Sequence, residues 1–340
     1  MSFFIPRGGS AIRHGLLACL LGWLAIAPLE AATPAKAVRC LSECTPRIGI
    51  VSAFGAEADI LVGQTTAKQT WTINGNRYTT GTLRGNRVVI VLSGVSIVNA
   101  AMTTQLMLDH FRITHLLMSG IAGGLDADNH IGDVLVPQRW VQPFEGYWNR
   151  DATTPAPCGA ATDLSCLGLK IAPQIDGIGT PMPGTGIFMR ETYVMTANSP
   201  PTGEFKFGFE VDPMMLAVAR SLSPPLRRCG PANESLCVPG QPALKVGGVG
   251  VSGSFFMANP QVRDYLNKTI GALVVDMETA ALAQVAYANG VPYIAFRSLS
   301  DLAGGDDTKD VGAFFGSGLA EANEAFVTLS FLEAWAKVKH

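Results

Sequence analysis

The stretch ALVVDMETAALAQVAYANGVPYIAFRSLSD, residues Ala272–Asp301, joins two short apolar runs through an alanine-rich segment. Leu273–Val275 is predicted to be a buried strand, because it is short, apolar and rich in β-branched residues. Ala280–Asn289 is predicted to be a helix, and Gly290 supplies the residue type that commonly ends one. Tyr293–Phe296 is then the next strand, so the stretch predicts a strand–helix–strand unit.

Two polar clusters follow the two strands of this unit. Asp276–Glu278 lies where the first strand turns into the helix, and Arg297–Asp301 continues beyond the second strand. Ligands of open α/β sheets bind beyond the carboxyl ends of the strands. Both clusters are therefore expected at one site, on one edge of the sheet.

The rest of the chain continues this alternation of β-forming and helical segments. The predicted segments are, in chain order, a strand at Arg47–Ala53, a short helix at Phe54–Leu61, β-forming residues at Trp71–Thr82 with a turn at Asn74–Gly75, a strand at Arg87–Leu92, a helix at Ile97–Phe111 with Ser96 as N-cap, a strand at Thr114–Met118, a helix at Phe209–Arg220, a strand at Lys245–Gly253 and a closing helix at Lys309–Lys337. This order predicts the α/β class.

Composition sets the scale of the molecule and its class of partner. With 340 residues, of which 48% are hydrophobic, the chain can bury a large core as one α/β domain or two smaller ones. Its formal net charge of −2 gives no broad basic field for nucleic acid or an anionic membrane. A small, weakly charged ligand is therefore the expected partner.

The first 31 residues have the pattern of a secretory signal peptide. Arg7 and Arg13 precede the apolar run Leu16–Ala27, which is short for a membrane span, and small residues follow it. We therefore expect a periplasmic or secreted protein with no stable membrane insertion once the signal is removed. Retention as an N-terminal anchor stays open, and lipidation at Cys19 is the weaker alternative because the apolar run continues past that cysteine.

The remaining six cysteines fall into pairs that are close in sequence, in loop-like segments: Cys40 with Cys44, Cys158 with Cys166, and Cys229 with Cys237. Six cysteines allow fifteen pairings, and pairing between neighbours is the simplest in an oxidising compartment. A metal site is less favoured, because paired C-x-x-C spacings and nearby histidines are missing.

The motifs Val-Asp-Met-Glu-Thr-Ala and Arg-Ser-Leu-Ser-Asp, in Val275–Ala280 and Arg297–Asp301, resemble the purine nucleoside phosphorylase superfamily. The closer resemblance is to its methylthioadenosine/S-adenosylhomocysteine nucleosidase branch, which has Glu-Met-Glu-Ala and Arg-x-x-Ser-Asp at the same spacing. It covers roughly Arg47 to Leu332. It implies a three-layer α/β/α fold around a central mixed, twisted sheet. The domain would span residues 47–340 after a tail at 32–46, with insertions at about 142–204 and 222–243.

The resemblance also implies the catalytic residues. Glu57 matches the glutamate that activates the attacking water, Glu278 would bind the ribose hydroxyls, and Asp301 would protonate the purine. Position alone offers simpler interpretations. Glu57 and Glu278 are acidic residues in the first turns of helices, where the helix dipole favours them, and Asp301 suits a turn before two glycines.

Further residues are implied to bind substrate by the same matching: Phe256, Met257, Met277, Arg297, Ser300, Gly94, Ala122 and Gly123. Met277 would pack beneath the sugar, Arg297 would hold the water or ribose unless it forms an ion pair with Glu57 or Glu278, and Phe314 or Phe315 would cover the 5′ side of the sugar. The chain departs from the family pattern at Ser96, Ile97 and Ile121.

The expected activity is hydrolysis of the N-ribosidic bond of a purine nucleoside. A phosphorylase must bind a dianion, usually with arginine, yet no basic residue lies between Ile50 and Ala67 and Glu57 would repel phosphate. A phosphate-dependent phosphorylase and a non-catalytic nucleoside-binding protein stay open as alternatives. Methylthioadenosine, adenosylhomocysteine, adenosine and inosine are all possible substrates. The resemblance implies no metal or organic cofactor, and a homodimer.

Overall fold

The computed structural model describes residues 40–148, 187–305 and 316–338, all of which belong to one compact unit. The helices of these residues are α1 Gly55–Gln64, α2 Ile97–His110, α3 Pro213–Arg220, α4 Pro260–Ile270, α5 Thr279–Asn289 and α6 Leu319–Trp335. The strands are β1 Glu43–Ser52, β2 Thr66–Ile73, β3 Asn76–Leu83, β4 Asn86–Leu92, β5 Phe111–Gly124, β6 Val134–Val136, β7 Arg139–Val141, β8 Gly146–Trp148, β9 Ile187–Met189, β10 Thr192–Val194, β11 Glu204–Lys206, β12 Phe209–Glu210, β13 Cys229–Gly230, β14 Asn233–Cys237, β15 Leu244–Val246, β16 Val249–Ser252, β17 Ala272–Asp276 and β18 Tyr293–Asp301.

One large mixed sheet forms the centre of the unit. Its main path runs β12-β7-β16-β17-β5-β1-β4-β3-β2, and β18 pairs with both β5 and β6. The pairs β4–β1, β1–β5 and β5–β18 are parallel, whereas β5–β17 and β18–β6 are antiparallel. Strands β2, β3 and β4 form an antiparallel meander. The predicted α/β class with a mixed sheet is therefore confirmed.

Helices cover both faces of the sheet, which explains why its central strands are continuously apolar. Helices α2 and α5 pack against each other on one face, and α1, α3 and α6 are grouped on the other. All nine residues of β18 are buried. The core is therefore in place on both sides of the strands that carry the predicted motifs.

The central strand–helix–strand unit is confirmed, with one correction. Strand β18 does not end at Phe296, as predicted, but continues through the polar cluster to Asp301. Two neighbours extend it, because Arg297 pairs with Gly120 of β5 and with Leu135 of β6. The cluster is thus built into the sheet and does not lie in a loop beyond it.

Other predicted boundaries are also wrong. The helix predicted at Phe209–Arg220 begins only at Pro213, because Phe209–Glu210 pairs with β7 and Asp212 caps the helix through its side chain. The strand predicted at Lys245–Gly253 is interrupted by Gly247 and Gly248, both at positive φ. This leaves two strands, β15 and β16, in different parts of the sheet.

The predicted strand at Thr114–Met118 is the middle of the fourteen-residue strand β5. The predicted helix at Ile97–Phe111 is confirmed apart from its last residue, but the Ser96 side chain makes no capping hydrogen bond. The closing helix is present as α6 from Leu319 onward, and the first part of its predicted range lies outside the described residues.

Two of the three predicted disulfides are confirmed, Cys40–Cys44 and Cys229–Cys237. The first lies at the start of β1 and the second closes the β13–β14 hairpin. The predicted Cys158–Cys166 pair and the predicted signal peptide lie outside the described residues. Across the parts of the chain that are described, no helix has the length and apolar character needed to cross a membrane.

Candidate active site

A cavity with a volume of about 200 Å³ opens where the central strands end. Its walls are formed by the ends of β1, β5, β16, β17 and β18 and the segments that follow them. The lining residues are Ala53, Phe54, Glu57, Val95, Ile121, Ala122, Gly123, Phe255, Phe256, Met257, Val275, Asp276, Met277, Glu278, Ser300 and Asp301. Most side chains are apolar, and the polar ones are acidic except for Ser300, which is the composition of a site for a small organic ligand.

Glu57 lies in the first turn of α1, with its carboxylate buried against the sheet. Oε2 accepts hydrogen bonds from the backbone N–H groups of Ala53 at 2.6 Å and Phe54 at 3.2 Å, and Oε1 accepts one from Ile121 at 2.9 Å. Burial raises the pKa of Glu57 to about 7, and repulsion by Glu278 adds to the rise, although Arg297 opposes it. A carboxylate with this pKa can accept a proton from water near neutral pH.

Glu278 lies between β17 and α5 and faces the cavity from another side. Its Oε1 accepts a 2.8 Å hydrogen bond from the backbone N–H of Ser96, and its Oε2 lies 3.3 Å from Arg297 Nη2. Burial raises the pKa of Glu278 above its usual value, and Asp276 adds to the rise while Arg297 opposes it. Each oxygen has a second lone pair, so the carboxylate can also accept hydrogen bonds from ligand hydroxyls.

Arg297 is fully buried and holds three acidic residues around its guanidinium. Nε lies 2.7 Å from Asp276 Oδ2, and Nη1 lies 3.6 Å from Glu57 Oε1. Nη1 also donates to the carbonyl oxygen of Ile121 at 3.2 Å. Burial alone would lower the pKa of Arg297, but the neighbouring carboxylates raise it, so the side chain remains charged. The ion pair named as the simpler interpretation of Arg297 is therefore present.

Asp276 is the anchor of this network and was missed as a separate functional residue in the sequence. Its carboxylate accepts hydrogen bonds from the hydroxyls of Ser252 and Thr279 and from the backbone N–H of Glu278 at 3.2 Å. It therefore fixes both Arg297 and the start of α5. The only sequence signal was its place beside Glu278 at the end of a strand.

Asp301 is the last residue of β18 and lines the cavity. Its Oδ1 accepts a 2.9 Å hydrogen bond from the backbone N–H of Ala303, and its Oδ2 lies 2.9 Å from Ser300 Oγ. Ser300 Oγ is also 3.3 Å from the carbonyl oxygen of Ala122. Ser300 thus orients the carboxyl oxygen that a protonated Asp301 would use as a donor.

Two glycines of β5 make room for the acidic side chains. A methyl group on Gly120 would overlap both Arg297 Nη1 and Glu57 Oε1. A methyl group on Gly123 would come within 2.9 Å of Asp301 Oδ1. These two glycines therefore leave space for side chains of the protein itself.

Aromatic and sulfur-containing side chains close the side of the cavity that follows β16. Phe256 is 59% exposed, Met257 is buried, and both line the cavity. Phe255 is held by an edge-on contact with Phe144, with ring centroids 4.3 Å apart. This segment presents flat apolar surface on which a planar base can stack.

Most of the residues selected from the sequence meet at this cavity, and two do not line it. Gly94 donates its N–H to the carbonyl oxygen of Ala53 at 3.0 Å, so that amide is not available to a ligand. Arg297 lies behind Glu57 and Glu278 and does not reach the cavity surface. Phe314 and Phe315 lie outside the described residues.

A second buried acidic site lies on α6 and gave no signal in the sequence. Glu324 accepts a hydrogen bond from Ser119 Oγ, which in turn lies 2.8 Å from Thr328 Oγ1. Burial raises the pKa of Glu324 well above its usual value. In the described part of the chain, no group of three or more His, Cys, Asp or Glu residues is arranged to hold a metal ion.

The chain belongs to the phosphorylase superfamily, whose family model matches residues 47–332. It is similar to the 5′-methylthioadenosine/S-adenosylhomocysteine nucleosidases of Bacillus thuringiensis (strain Al Hakam) and Bacillus anthracis. Each is 27% identical over 259 residues, which cover 76% of this chain and 87% of the relative.

Solved structures share the fold. The 5′-methylthioadenosine/S-adenosylhomocysteine nucleosidase of S. pneumoniae has a TM-score of 0.60 and 24% identity, and the match covers 86% of this chain and 100% of that one. The futalosine hydrolase of Helicobacter pylori strain 26695 has a TM-score of 0.55 and 22% identity, over 86% of this chain and 97% of that one.

Proposed function

We propose that this protein is a purine nucleosidase that hydrolyses the N-ribosidic bond of methylthioadenosine, adenosylhomocysteine or a related purine nucleoside to free base and sugar. The main observation in support is that Glu57, Glu278 and Asp301 line one largely apolar cavity at the ends of the central strands. The relatives at 27% identity are nucleosidases that act on such substrates. The fold alone would not decide the activity, since one fold supports many reactions.

Glu57 is the general base in this proposal. Three backbone N–H groups hold its carboxylate in one orientation, and one lone pair of Oε1 is left for a water molecule. Its pKa of about 7 matches the working range of a base at neutral pH. Glu57 would take a proton from the water as the oxygen attacks the anomeric carbon.

Asp301 is the general acid, and it would protonate the purine as the bond to the sugar breaks. The contacts of Asp301 with Ser300 and with the N–H of Ala303 fix the direction of its carboxyl group. Protonation makes the base a better leaving group, and positioned acids typically contribute about 10²–10⁴-fold in rate.

Glu278 binds the ribose hydroxyls and stabilises the positive charge that develops on the sugar. Its carboxylate is oriented by Ser96 on one oxygen and by Arg297 on the other. A negative charge placed in a largely apolar cavity interacts strongly with an oxocarbenium-like transition state. Met277 lies beside it on the cavity wall and would pack against the sugar.

Water is a better nucleophile than phosphate in this site. None of the described residues that line the cavity is Lys, Arg or His. The guanidinium of Arg297 is surrounded by Asp276, Glu278 and Glu57 and is fully buried. A phosphate dianion would meet acidic side chains without a free cation to bind it, which disfavours the phosphorylase alternative.

The test is base release from methylthioadenosine, adenosylhomocysteine, adenosine and inosine, with and without phosphate, with identification of the sugar product. Free sugar formed at the same rate in both conditions is the expected result. A sugar 1-phosphate that forms only with phosphate would identify a phosphorylase. Tight nucleoside binding without any base release would identify a binding protein.

We further propose a homodimer that acts outside the cytoplasm. The apolar side chains of Val95, Val98 and Met102 are exposed at the start of α2, close to the cavity mouth, and a second copy of the chain would cover them. The two disulfides suit an oxidising compartment. Sedimentation of the purified protein tests the homodimer, and a monomer at micromolar concentration would overturn it. N-terminal sequencing of the exported form tests the location, and an intact N-terminus in a cytoplasmic fraction would overturn it.

A further inference from the structure

Ser96 has a backbone conformation that is almost restricted to glycine. Its φ of 90° and ψ of 160° lie in a region where a Cβ atom is strained. The other described non-glycine residues with positive φ are Ala67, Asn74, Arg84 and Ala303, and their φ values lie between 48° and 53°. Those values belong to the left-handed helical turn that other residues reach more easily. Ser96 is therefore the exceptional position.

Helix capping does not explain this strain. Ser96 precedes α2, but its side chain makes no hydrogen bond to the start of that helix. Its hydroxyl lies instead 2.8 Å from Ser254 Oγ, across from the helix. The strained backbone directs its N–H to Glu278 Oε1, at 2.8 Å.

The two serines connect two segments that line the cavity. Ser96 follows Val95, which lines the cavity beside Glu278, whereas Ser254 precedes the segment Phe255–Met257, which lines the base side. Neither serine lines the cavity itself. Their hydrogen bond therefore acts on the positions of the walls and does not contact the ligand.

We propose that Ser96 and Ser254 are positioning residues. Their hydrogen bond, called the clasp below, holds the segment Phe255–Met257 next to the ribose-binding side of the site. The inference rests on the proposed nucleosidase function. A strained conformation persists only where surrounding contacts impose it, and Ser96 is held by one contact on its N–H and one on its hydroxyl. The clasp keeps the N–H on Glu278 and keeps Phe255–Met257 at a fixed distance from the sugar.

The hydroxyl contact is tested by Ser96→Ala and Ser254→Ala. Loss of one hydrogen bond should raise KM about fivefold, with kcat within about twofold, because the segment binds the base equally in the ground and transition states. The double variant should show the same rise as either single variant, because both remove one shared bond. Ser254→Thr keeps a hydroxyl at this position, so its KM should be near that of the original protein.

The strain is tested by comparing Ser96→Gly with Ser96→Ala. Both lack the hydroxyl, but only glycine relaxes the backbone, so the Tm of the glycine variant should be roughly 2–4 °C higher. Its KM should nevertheless be raised as much as that of the alanine variant. If Ser96 had a purely structural role, the KM of the more stable glycine variant would instead be closer to that of the original protein than the KM of the alanine variant.

Ser221→Ala is the matched control, since it removes an exposed hydroxyl at the end of α3, 2.7 Å from the carbonyl oxygen of Val218. It should leave KM unchanged. Unchanged KM in Ser96→Ala and Ser254→Ala, with normal hydrolysis by the original protein, would overturn the clasp alone. A KM rise in the double variant equal to the product of the two single rises would also overturn it. Absence of base release from the original protein would overturn the proposed function and the clasp together.

Discussion

Asp276 and Arg297 form a fully buried ion pair in which Arg297 Nε lies 2.7 Å from Asp276 Oδ2. This contact is shorter than those of Arg297 with Glu278 at 3.3 Å and Glu57 at 3.6 Å. Asp276 also binds two hydroxyl groups and the N–H of Glu278. The pair thus fixes the cation about which Glu57 and Glu278 are arranged.

Asp276→Asn should destabilise the protein by about 3–5 kcal/mol, because it leaves a buried charge without its nearest partner. The urea midpoint of unfolding measures the effect. The control is Asp264→Asn, which breaks an exposed i,i+4 pair with Lys268, the two side chains being 56% and 78% exposed. That change should cost at most about 0.5 kcal/mol. Equal effects for the two substitutions would contradict the assigned role of Asp276.

Glu57→Gln should lower kcat by about 10²–10⁴-fold, because the amide cannot accept a proton from water. Nucleoside binding should be retained, since in the proposed mechanism Glu57 would contact the attacking water and not the base. Stopped assays of base release give kcat, and calorimetric titration with substrate gives the affinity. A variant that loses binding and turnover to the same extent would show that Glu57 acts by holding the site together.

Activity and stability should depend on pH in opposite directions near neutrality. Since the pKa of Glu57 is raised to about 7 in the folded protein, activity should fall as pH decreases through that value. The folded state binds more protons than the unfolded state between pH 4.5 and 7, so the Glu57 contribution to stability decreases as pH rises through this window. A shift of this size corresponds to about 3 kcal/mol.

The measurement for this prediction is the difference in unfolding free energy between the original protein and Glu57→Gln from pH 5 to pH 8. Acids that do not interact with Glu57 titrate alike in both proteins and cancel in the difference. Glu278 and Glu324, which Glu57 repels, should lose part of their pKa rise in the variant, which adds to the expected change in the same direction. The original protein should lose stability relative to the variant as pH increases. A difference independent of pH would mean that Glu57 has an ordinary pKa in the folded state.

Gly123→Ala should reduce kcat by about tenfold or more, because the added methyl group would come within 2.9 Å of Asp301 Oδ1 and displace the proposed acid. Steady-state kinetics at saturating substrate detect the loss. Gly63→Ala in α1 is the matched control, since a methyl group there meets nothing within 4 Å. It should leave kcat unchanged and stabilise the helix by roughly 0.5–1 kcal/mol.

Glu324→Gln should preserve the fold, because burial raises the pKa of Glu324 well above its usual value and so favours the neutral acid, whose shape the amide copies. The amide keeps the shape and an acceptor for Ser119. The variant should gain stability relative to the original protein as pH rises, since a raised pKa costs stability above the unfolded value. Thermal unfolding at pH 6 and pH 9 tests the sign, and a relative loss at pH 9 would contradict it.

The sequence allowed prediction of the features that depend on local pattern. Two short apolar runs, before Asp276 and before Arg297, enclose an alanine-rich segment, and this pattern predicts a strand–helix–strand unit. Strands β17 and β18 and helix α5 form that unit. Glu278 and Asp301 could be selected because they follow those runs and match a family motif. Their roles in catalysis stay predictions for the experiments above.

Features that depend on distant packing could not be predicted in the same way. Glu324 lies in a helix that also contains Glu321 and Asn323, so nothing in the local sequence distinguishes it from a solvent-exposed glutamate. Ser96 was expected to cap α2, as serines usually do, and the competing contacts with Ser254 and Glu278 come from residues more than 150 positions away.

The connection between Ser96 and Glu278 spans 182 positions of the chain, and that between Arg297 and Ile121 spans 176. Contacts this remote in sequence form late in folding, since a long loop must close before any of them is gained. Glu57 lies in the first half of the chain, whereas Glu278 and Asp301 lie in the second half. Recovered turnover after refolding would therefore report the completed native topology, whereas circular dichroism would already register the local helices.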